Sequence, residues 1–195
     1  MTHTPNITKL SSRDERLEHF TALGVSISVM CQKPLLEYGA KAYEDHKKGL
    51  CTYEVEQVIL AIVVTTGIAS IFLTKDYTPD YNSGLAHAIF YALTSYPVIE
   101  KNHLHGEIVG FGVLLALLVD GQDEEFEKIY LLNKSISLPV SLDEIEISKE
   151  QWEESTDRIP DMSDVAHYPY KVTKEMLKNA MARLEEKVRK DNHVR

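Results

Sequence analysis

Two histidines are the residues of this chain whose type and spacing could do chemistry. His87 and His105 stand 18 residues apart in the segment Gly84 to Asp120, which reads GLAHAIFYALTSYPVIEKNHLHGEIVGFGVLLALLVD. Neutral imidazole is a common ligand of zinc, iron and copper in proteins. If the two side chains meet in the folded chain, they form part of a metal site.

The connector between the two predicted helices decides whether the histidines can meet. His87 lies one turn into its helix and His105 lies at the start of the next, so a tight antiparallel hairpin would hold them at opposite ends. The six residues from Pro97 to Asn102 reach about 20 Å when extended. An extended connector predicts that the chain returns to the start of the first helix, with both imidazoles facing a cavity between helices.

Two histidines alone do not make a catalytic zinc site, which usually has three protein ligands and one open position. No H-x-x-x-H or E-x-x-H pattern supplies a third ligand nearby. Glu107 is expected to cap its helix or to accept a hydrogen bond from a ligand, and the loop carboxylates Asp76 and Asp80 are expected to be solvated. His103 and His46 are expected to face solvent at helix ends. Spacing alone therefore favours ordinary core or surface histidines over a metal site.

The elements around these residues are predicted to be helical throughout. Apolar residues recur at helical spacing, strand alternation is missing, and the fold class is predicted to be all-α, a multi-helix bundle. The predicted helices run from Ser11 or Ser12 with a break or kink at Pro34, from Tyr53 to about Leu73, from Ser83 to Pro97, from His103–His105 to Gly121, over 123–135, from Ser148 to about Arg158, and from Thr173 into a frayed tail. We expect an irregular N-terminus over 1–12 and one helical domain over 13–190.

Composition excludes some classes of function. The net charge of −9 argues against a nucleic-acid-binding surface. The uncharged runs Val58–Thr74 and Ile108–Val119 are short for membrane spans and are predicted to be helices buried on nearly all sides. Cys31 and Cys51 are predicted to be reduced, buried thiols of a cytoplasmic protein. No glycine-rich nucleotide motif occurs, so no nucleotide-binding domain is expected.

The segments GLAHAIFYAL and HLHGEIVGFGVLLALL resemble the signature of the iron-containing alcohol dehydrogenase superfamily, in its glycerol dehydrogenase branch. The resemblance covers about residues 20 to 185. It implies the helical C-terminal domain of that fold, which dehydroquinate synthase-like proteins share. It also implies that His87 and His105 bind one divalent metal, zinc or iron, and places His167 at a histidine that precedes a proline–aromatic pair.

Three departures separate the chain from the family pattern. The family's N-terminal nucleotide-binding half has no counterpart here. The family's third metal ligand, an aspartate in a G-D-A-L-type motif, has no match before Gly24, and Asp14 lies in a polar context. Phe90 replaces the second histidine of A-H-A-I-H, and Gly110 replaces an alanine of the H-G-E helix.

The resemblance leads to one main hypothesis and two alternatives. The main hypothesis is the metal-binding helical half of a glycerol or polyol dehydrogenase, inactive alone because NAD would bind only to a missing or separate nucleotide-binding half. The metal would act as a Lewis acid on the hydroxyl of a small alcohol or polyol. The alternatives are a non-catalytic helical interaction or oligomerisation module, and a dehydroquinate synthase-like lyase fragment. An exposed apolar face and homo-oligomerisation are expected; nucleic-acid and membrane partners are not.

Overall fold

The computed structural model of the protein describes residues 19–74, 83–166, 168 and 170–193, and these residues contain helices and turns but no strand. The predicted all-α fold class is confirmed. The helices are α1 His19–Lys47, α2 Tyr53–Leu60, a π-helical segment Ala61–Thr65, α3 Thr66–Leu73, α4 Leu85–Leu93, α5 Pro97–Asn102, α6 His105–Val119, α7 Asp123–Ser135, α8 Lys149–Arg158 and α9 Lys174–His193. Short 3-10 turns occupy Asp143–Ile145, Ile159–Asp161 and Ser163–Val165.

The chain divides into two compact units, residues 1–83 and residues 84–195. The expected single domain over 13–190 stays a prediction. Several sequence-based expectations lie outside the described residues: the irregular N-terminus, the start of the first helix, and the roles of Asp14, Asp76, Asp80 and His167.

The first unit is a helical hairpin. Its first arm, α1, is one helix through Pro34, so of the two expectations for this residue, a kink or a break, the break is wrong. A proline removes one helical hydrogen bond, and packing of α1 against the second arm offsets that loss. Lysines followed by glycine, as in Lys47-Lys48-Gly49, are typical of a helix end, and α1 ends there: Gly49 adopts φ +69°, a conformation that glycine takes without strain.

Asp45 ties the two arms of the hairpin together. Its carboxylate is buried and accepts hydrogen bonds from the Lys41 ammonium and from the Thr52 hydroxyl, the latter at 2.8 Å. Thr52 occupies the N-cap position of α2, a position that threonine suits, but its hydroxyl donates to Asp45 and makes no cap bond. The Lys41 and Thr52 hydrogen bonds lower the pKa of Asp45 below its usual value.

The second arm, Tyr53–Leu73, is 21 residues long and is the one helix among the described residues that is long and apolar enough to cross a membrane by length and composition. The prediction that this run is buried on nearly all sides is wrong. Only one side of the arm packs, chiefly through Ala61, Ala69 and Leu73, and most of its large aliphatic side chains are exposed. A two-helix hairpin has no further element to cover the opposite side.

The second unit contains the main hydrophobic core. Helix α6 is buried along most of its length, as predicted for Ile108–Val119, and it packs against α4, α7 and α9. The predicted start of a helix at Ser148 is confirmed. Ser148 caps α8, accepting a hydrogen bond from the Gln151 backbone N–H while the Gln151 side chain accepts one from the Ser148 N–H. Trp152 on α8 is buried in this core.

Two further expectations are corrected in detail. The final helix α9 continues to His193, so the described part of the tail is helical and not frayed. Lys187 and Lys134 pair with Asp191 and extend the ordered helix. Of the two cysteines, Cys31 is buried as predicted, whereas Cys51 is exposed between the arms of the hairpin.

Candidate metal centre

The helix that carries His87 is short and anchored at its first residue. Gly84, not Ser83, takes the N-cap position of α4, with an extended backbone at φ −174°. The Leu85 backbone N–H donates a hydrogen bond of 3.2 Å to the Tyr168 hydroxyl, which satisfies one of the free N–H groups of the helix start. Tyr168 is buried and its ring packs edge-on against Tyr170. The sequence predicts that Tyr168 packs rather than reacts, and it packs as expected; its contact with the start of the histidine helix has no signal in the sequence.

Helices α4 and α6 approach closely because α6 carries a glycine at the contact. A Cβ on Gly112 would stand 2.7 Å from the Ala86 carbonyl oxygen, closer than any real Cβ lies. Any side chain at this position would push the two helices apart. Ala86 precedes His87 in the chain, so this contact also fixes the position of His87 along the axis of α6.

The structure brings His87 and His105 together. Their ring centres are 5.7 Å apart and their planes are inclined by 44°. Two imidazoles that bind one tetrahedral zinc through bonds of about 2.0–2.1 Å have ring centres roughly 5 Å apart. A small rotation of the two side chains therefore suffices for both rings to bind one ion.

The route by which the histidines meet differs from the predicted one. The connector is not extended: Pro97 takes the first position of the short helix α5, where its fixed φ is favourable. Along the contact, Ala86 faces Gly112 and Phe90 faces His105, so α4 and α6 run in opposite senses where they pack. The histidines still meet because α4 has only nine residues and spans about 12 Å.

The two histidines occupy different environments. His87 is partly buried, whereas His105 is exposed at the surface. Burial lowers the pKa of His87, and the neighbouring His105 lowers it further. A lowered pKa keeps the His87 imidazole neutral at physiological pH, which is the form that binds a metal.

The start of α6 is fixed by Glu107. Its carboxylate accepts a hydrogen bond of 3.0 Å from the Leu104 backbone N–H, which confirms the predicted capping role. The same carboxylate lies 3.5 Å from His103 Nδ1. The expectation that His103 faces solvent is wrong, because its side chain is only 10% exposed. His46, in contrast, is exposed as predicted.

His87 and His105 would be two of the three protein ligands that a catalytic zinc site needs. No group of three His, Cys, Asp or Glu side chains with suitable geometry occurs among residues 19–74, 83–166, 168 and 170–193. A third ligand has to come from the residues outside these ranges or from another chain. The two imidazoles fit a divalent zinc or iron ion, because imidazole is a suitable ligand for both metals.

A separate cavity of about 420 Å³ opens between residues 140–149 and α9. Its floor is apolar, with Leu142, Ile147 and Leu184, and a Lys149–Glu185 ion pair lies at its edge. Neither His87 nor His105 lines it. The cavity is therefore distinct from the candidate metal centre.

Comparison with known proteins agrees with the geometry. The chain is 28% identical over 134 residues to a glycerol dehydrogenase of Escherichia coli O6:H1, covering 67% of this chain and 33% of that protein. It is 31% identical over 130 residues to the glycerol dehydrogenase of Citrobacter freundii, covering 64% of this chain and 32% of that protein. The chain is homologous to the glycerol dehydrogenases of the iron-containing alcohol dehydrogenase superfamily. The family resemblance drawn from the sequence is thereby confirmed.

The fold of this glycerol dehydrogenase-like chain matches a solved structure as well. A probable glycerol dehydrogenase from Sinorhizobium meliloti superposes with a TM-score of 0.69 at 24% identity, covering 87% of this chain and 46% of that one. No family model matches the chain. The chain spans about a third of the length of the two curated relatives described above.

Proposed function

We propose that this chain is the metal-binding helical half of an oxidoreductase of the glycerol dehydrogenase type. The observation that supports the proposal is the 5.7 Å separation of the His87 and His105 rings, on two helices that pack directly against each other. The relatives named glycerol dehydrogenase support the class of reaction, the oxidation of a small alcohol or polyol by NAD in a cytoplasmic protein.

In this proposal His87 and His105 bind a divalent zinc or iron ion. Tyr168 and Gly112 position His87 through their contacts with Leu85 and Ala86. The bound ion would supply Lewis-acid polarisation of the substrate hydroxyl oxygen. His87 is kept neutral by burial and is fixed by the anchored start of α4. His105 is exposed, so a substrate and a nucleotide-binding half can approach the pair from its side.

Turnover requires groups that the described residues do not provide. NAD would bind to a nucleotide-binding half, which acts together with this chain as a separate or adjoining partner. That half would also deliver the third metal ligand. We expect no reduction of NAD by the chain alone, and NAD reduction with glycerol by the purified chain would contradict this part of the proposal.

Metal binding tests the proposal directly. Zinc titration of the metal-free chain by isothermal calorimetry should show one ion per chain, and a His87→Ala/His105→Ala double variant should bind at least about 100-fold more weakly. His46→Ala is the matched control, because His46 is exposed and belongs to the other unit. Unchanged zinc binding by the double variant would overturn the assignment of these ligands.

One observation favours a second candidate function, a non-catalytic interaction module. The described residues hold no three-ligand cluster, while the first unit exposes a large apolar surface. In this alternative the chain keeps the helical packing but neither binds a catalytic metal nor takes part in a reaction. Absence of any stoichiometric zinc or iron, in the chain and in its complexes, would favour it over the dehydrogenase proposal.

A further inference from the structure

The first unit is poor in core and rich in exposed apolar side chains. Its buried apolar residues are few and mostly small: Cys31, Ala42, Val55, Ala61, Ala69 and Leu73. Of the 16 large hydrophobic residues that are exposed in the described part of the chain, 13 lie in this unit and 3 in the second. A hairpin with so small a core needs a further surface to pack against.

Seven of these residues form one continuous patch on the Tyr53–Leu73 helix. We call them the 59–71 patch: Ile59, Leu60, Ile62, Val63, Val64, Ile68 and Ile71. Each is between 42% and 72% exposed. Together they present on the order of 700 Å² of apolar surface, close to the roughly 800 Å² that each partner contributes to a standard protein interface.

We propose that a second copy of this chain covers the 59–71 patch, in an antiparallel two-fold contact that joins two hairpins into a four-helix bundle. Two-fold dimers are the commonest oligomers, and each copy in such a contact uses the same surface. Two hairpins that pack along their exposed arms give the four-helix arrangement that a single hairpin lacks.

The distribution of charge favours a second copy as the occupant. The chain carries a net charge of −9, so two copies repel each other over most of their surface. No charged residue occurs from Gln57 to Thr74, so the patch is a place where two copies can meet without opposing like charges. In the antiparallel arrangement Glu54 and Glu56 each lie on the opposite side of the axis from the same residue of the other copy, about 27 Å away for Glu54 and about 21 Å for Glu56, beyond the screening length of about 8 Å in physiological salt.

The two stretches of the first unit that lie outside the described residues have few apolar side chains with which to cover the patch. Residues 1–18 contain only four large apolar residues, Met1, Ile7, Leu10 and Leu17. Residues 75–82, KDYTPDYN, are polar and charged. Neither stretch carries enough apolar side chains to cover seven aliphatic residues.

The antiparallel contact fixes which residues meet. Val63 is the central residue of the 21-residue helix, so it lies on the two-fold axis and faces its own copy. Positions equally far from Val63 on either side then pair, and Ile59 of one copy packs against Gly67 of the other. A Cβ on Gly67 meets nothing within 4 Å in the isolated chain, so this position has room for a partner's side chain.

Hydrodynamic measurements test whether the dimer forms. Sedimentation velocity of the full chain should give a dimer of twice the 22.1 kDa chain mass, with or without zinc, so that the result is independent of the proposed metal site. Val63→Glu should raise the dimer dissociation constant at least about 100-fold, because it places two unpaired carboxylates at the axis. Leu131→Glu is the matched control, since Leu131 is 58% exposed in the second unit and should leave the dissociation constant unchanged.

Cysteine cross-linking tests the geometry without a destabilising charge. In a Cys51→Ser background, Val63→Cys should form a disulfide-linked dimer on mild oxidation. Ile71→Cys should not, because eight helical residues on each side of the axis separate the two thiols by about 24 Å. The proposal would be overturned if the wild-type chain stays monomeric up to about 100 µM. It would also be overturned if, in a flotation assay, the chain binds as a monomer to phosphatidylcholine–phosphatidylglycerol vesicles. Equal cross-linking at positions 63 and 71 would overturn the antiparallel arrangement.

Discussion

The ring of Phe90 meets the ring of His105 edge-on, with centres 4.4 Å apart and planes inclined by 81°. Phe90 lies one helical turn after His87, at the place where the family pattern has a second histidine. An imidazole at this position would lie beside both proposed ligands, since residues three apart share a helix face.

Phe90→His should therefore strengthen zinc binding. We expect the zinc dissociation constant to fall at least about tenfold, because a third imidazole moves the donor set towards the three ligands of a complete site. Calorimetric zinc titration measures the change. Tyr91→His is the control, since Tyr91 is half-exposed, and it should leave the affinity unaltered. Weaker binding by Phe90→His would argue that the ring of Phe90 positions His105 and cannot be replaced by a ligand.

Gly112→Ala should destabilise the second unit and weaken metal binding together. The added methyl group would overlap the Ala86 carbonyl oxygen, and overpacking of this kind costs about 1–3 kcal/mol. Chemical denaturation measures the free energy of unfolding. Zinc titration measures the affinity for zinc, which should fall if the two histidines move apart. A variant with full stability and full zinc affinity would show that α4 and α6 tolerate a wider spacing.

Gly110→Ala, two residues away, should have the opposite effect. A Cβ there would meet Leu138 Cδ1 at 3.6 Å, an ordinary contact distance, and would restore the alanine of the family pattern. Replacing a glycine inside a helix by alanine stabilises it by about 0.5–1 kcal/mol. The same denaturation measurement should thus show increased stability, and a loss of stability would mean that Leu138 cannot adjust.

Tyr168→Phe should loosen the start of the histidine helix. Loss of the hydroxyl leaves the Leu85 N–H without this hydrogen-bond acceptor, at a cost of about 1 kcal/mol. Amide hydrogen exchange of residues 85–88 should become faster, and zinc affinity should fall modestly. Tyr91→Phe removes a hydroxyl from the exposed side of the same helix and should change neither quantity.

Asp45 should make the stability of the hairpin depend on acid pH. Its pKa in the folded chain lies below the usual value, so its contribution is fully present above that value and is lost as pH falls through the folded pKa. Asp45→Asn should lower the melting temperature at pH 7, and the difference from wild type should shrink as pH falls through the folded pKa of Asp45. Glu44→Gln alters an exposed carboxylate next to it and should reproduce neither effect.

The sequence predicted local features well where one short-range interaction decides the outcome. The end of α1 at Lys47-Lys48-Gly49 follows from the residue types there, and Gly49 takes a positive φ; the start of α8 at Ser148 was likewise predicted. It predicted less where tertiary packing decides. Pro97 suits both an extended connector and a first helical turn, and only the contacts of α5 select the second. The Val58–Thr74 run reads as a buried helix because apolarity does not say how many neighbours are present to bury it.

The candidate site shows the same division. The motif residues identified His87 and His105 as the candidate ligands. The sequence also predicted that they meet, but through an extended connector that the structure does not have. The buried side chain of His103 and the anchoring hydroxyl of Tyr168 had no short-range signature, because their partners lie on other segments. The sequence V-G-F-G, which ends at Gly112, matches a glycine of the family pattern. The spacing of residues does not reveal that Gly112 packs against the backbone of Ala86.

The hydrogen bond from Leu85 to Tyr168 joins residues that are 83 positions apart. During synthesis at about 5–20 residues per second, the histidine helix emerges roughly 4–17 seconds before its anchor exists. The proposed metal ligands are thus made early and are oriented late, after most of the second unit has been translated. Premature termination between His105 and Tyr168 would leave a chain with both histidines and no fixed start for the helix that presents the first.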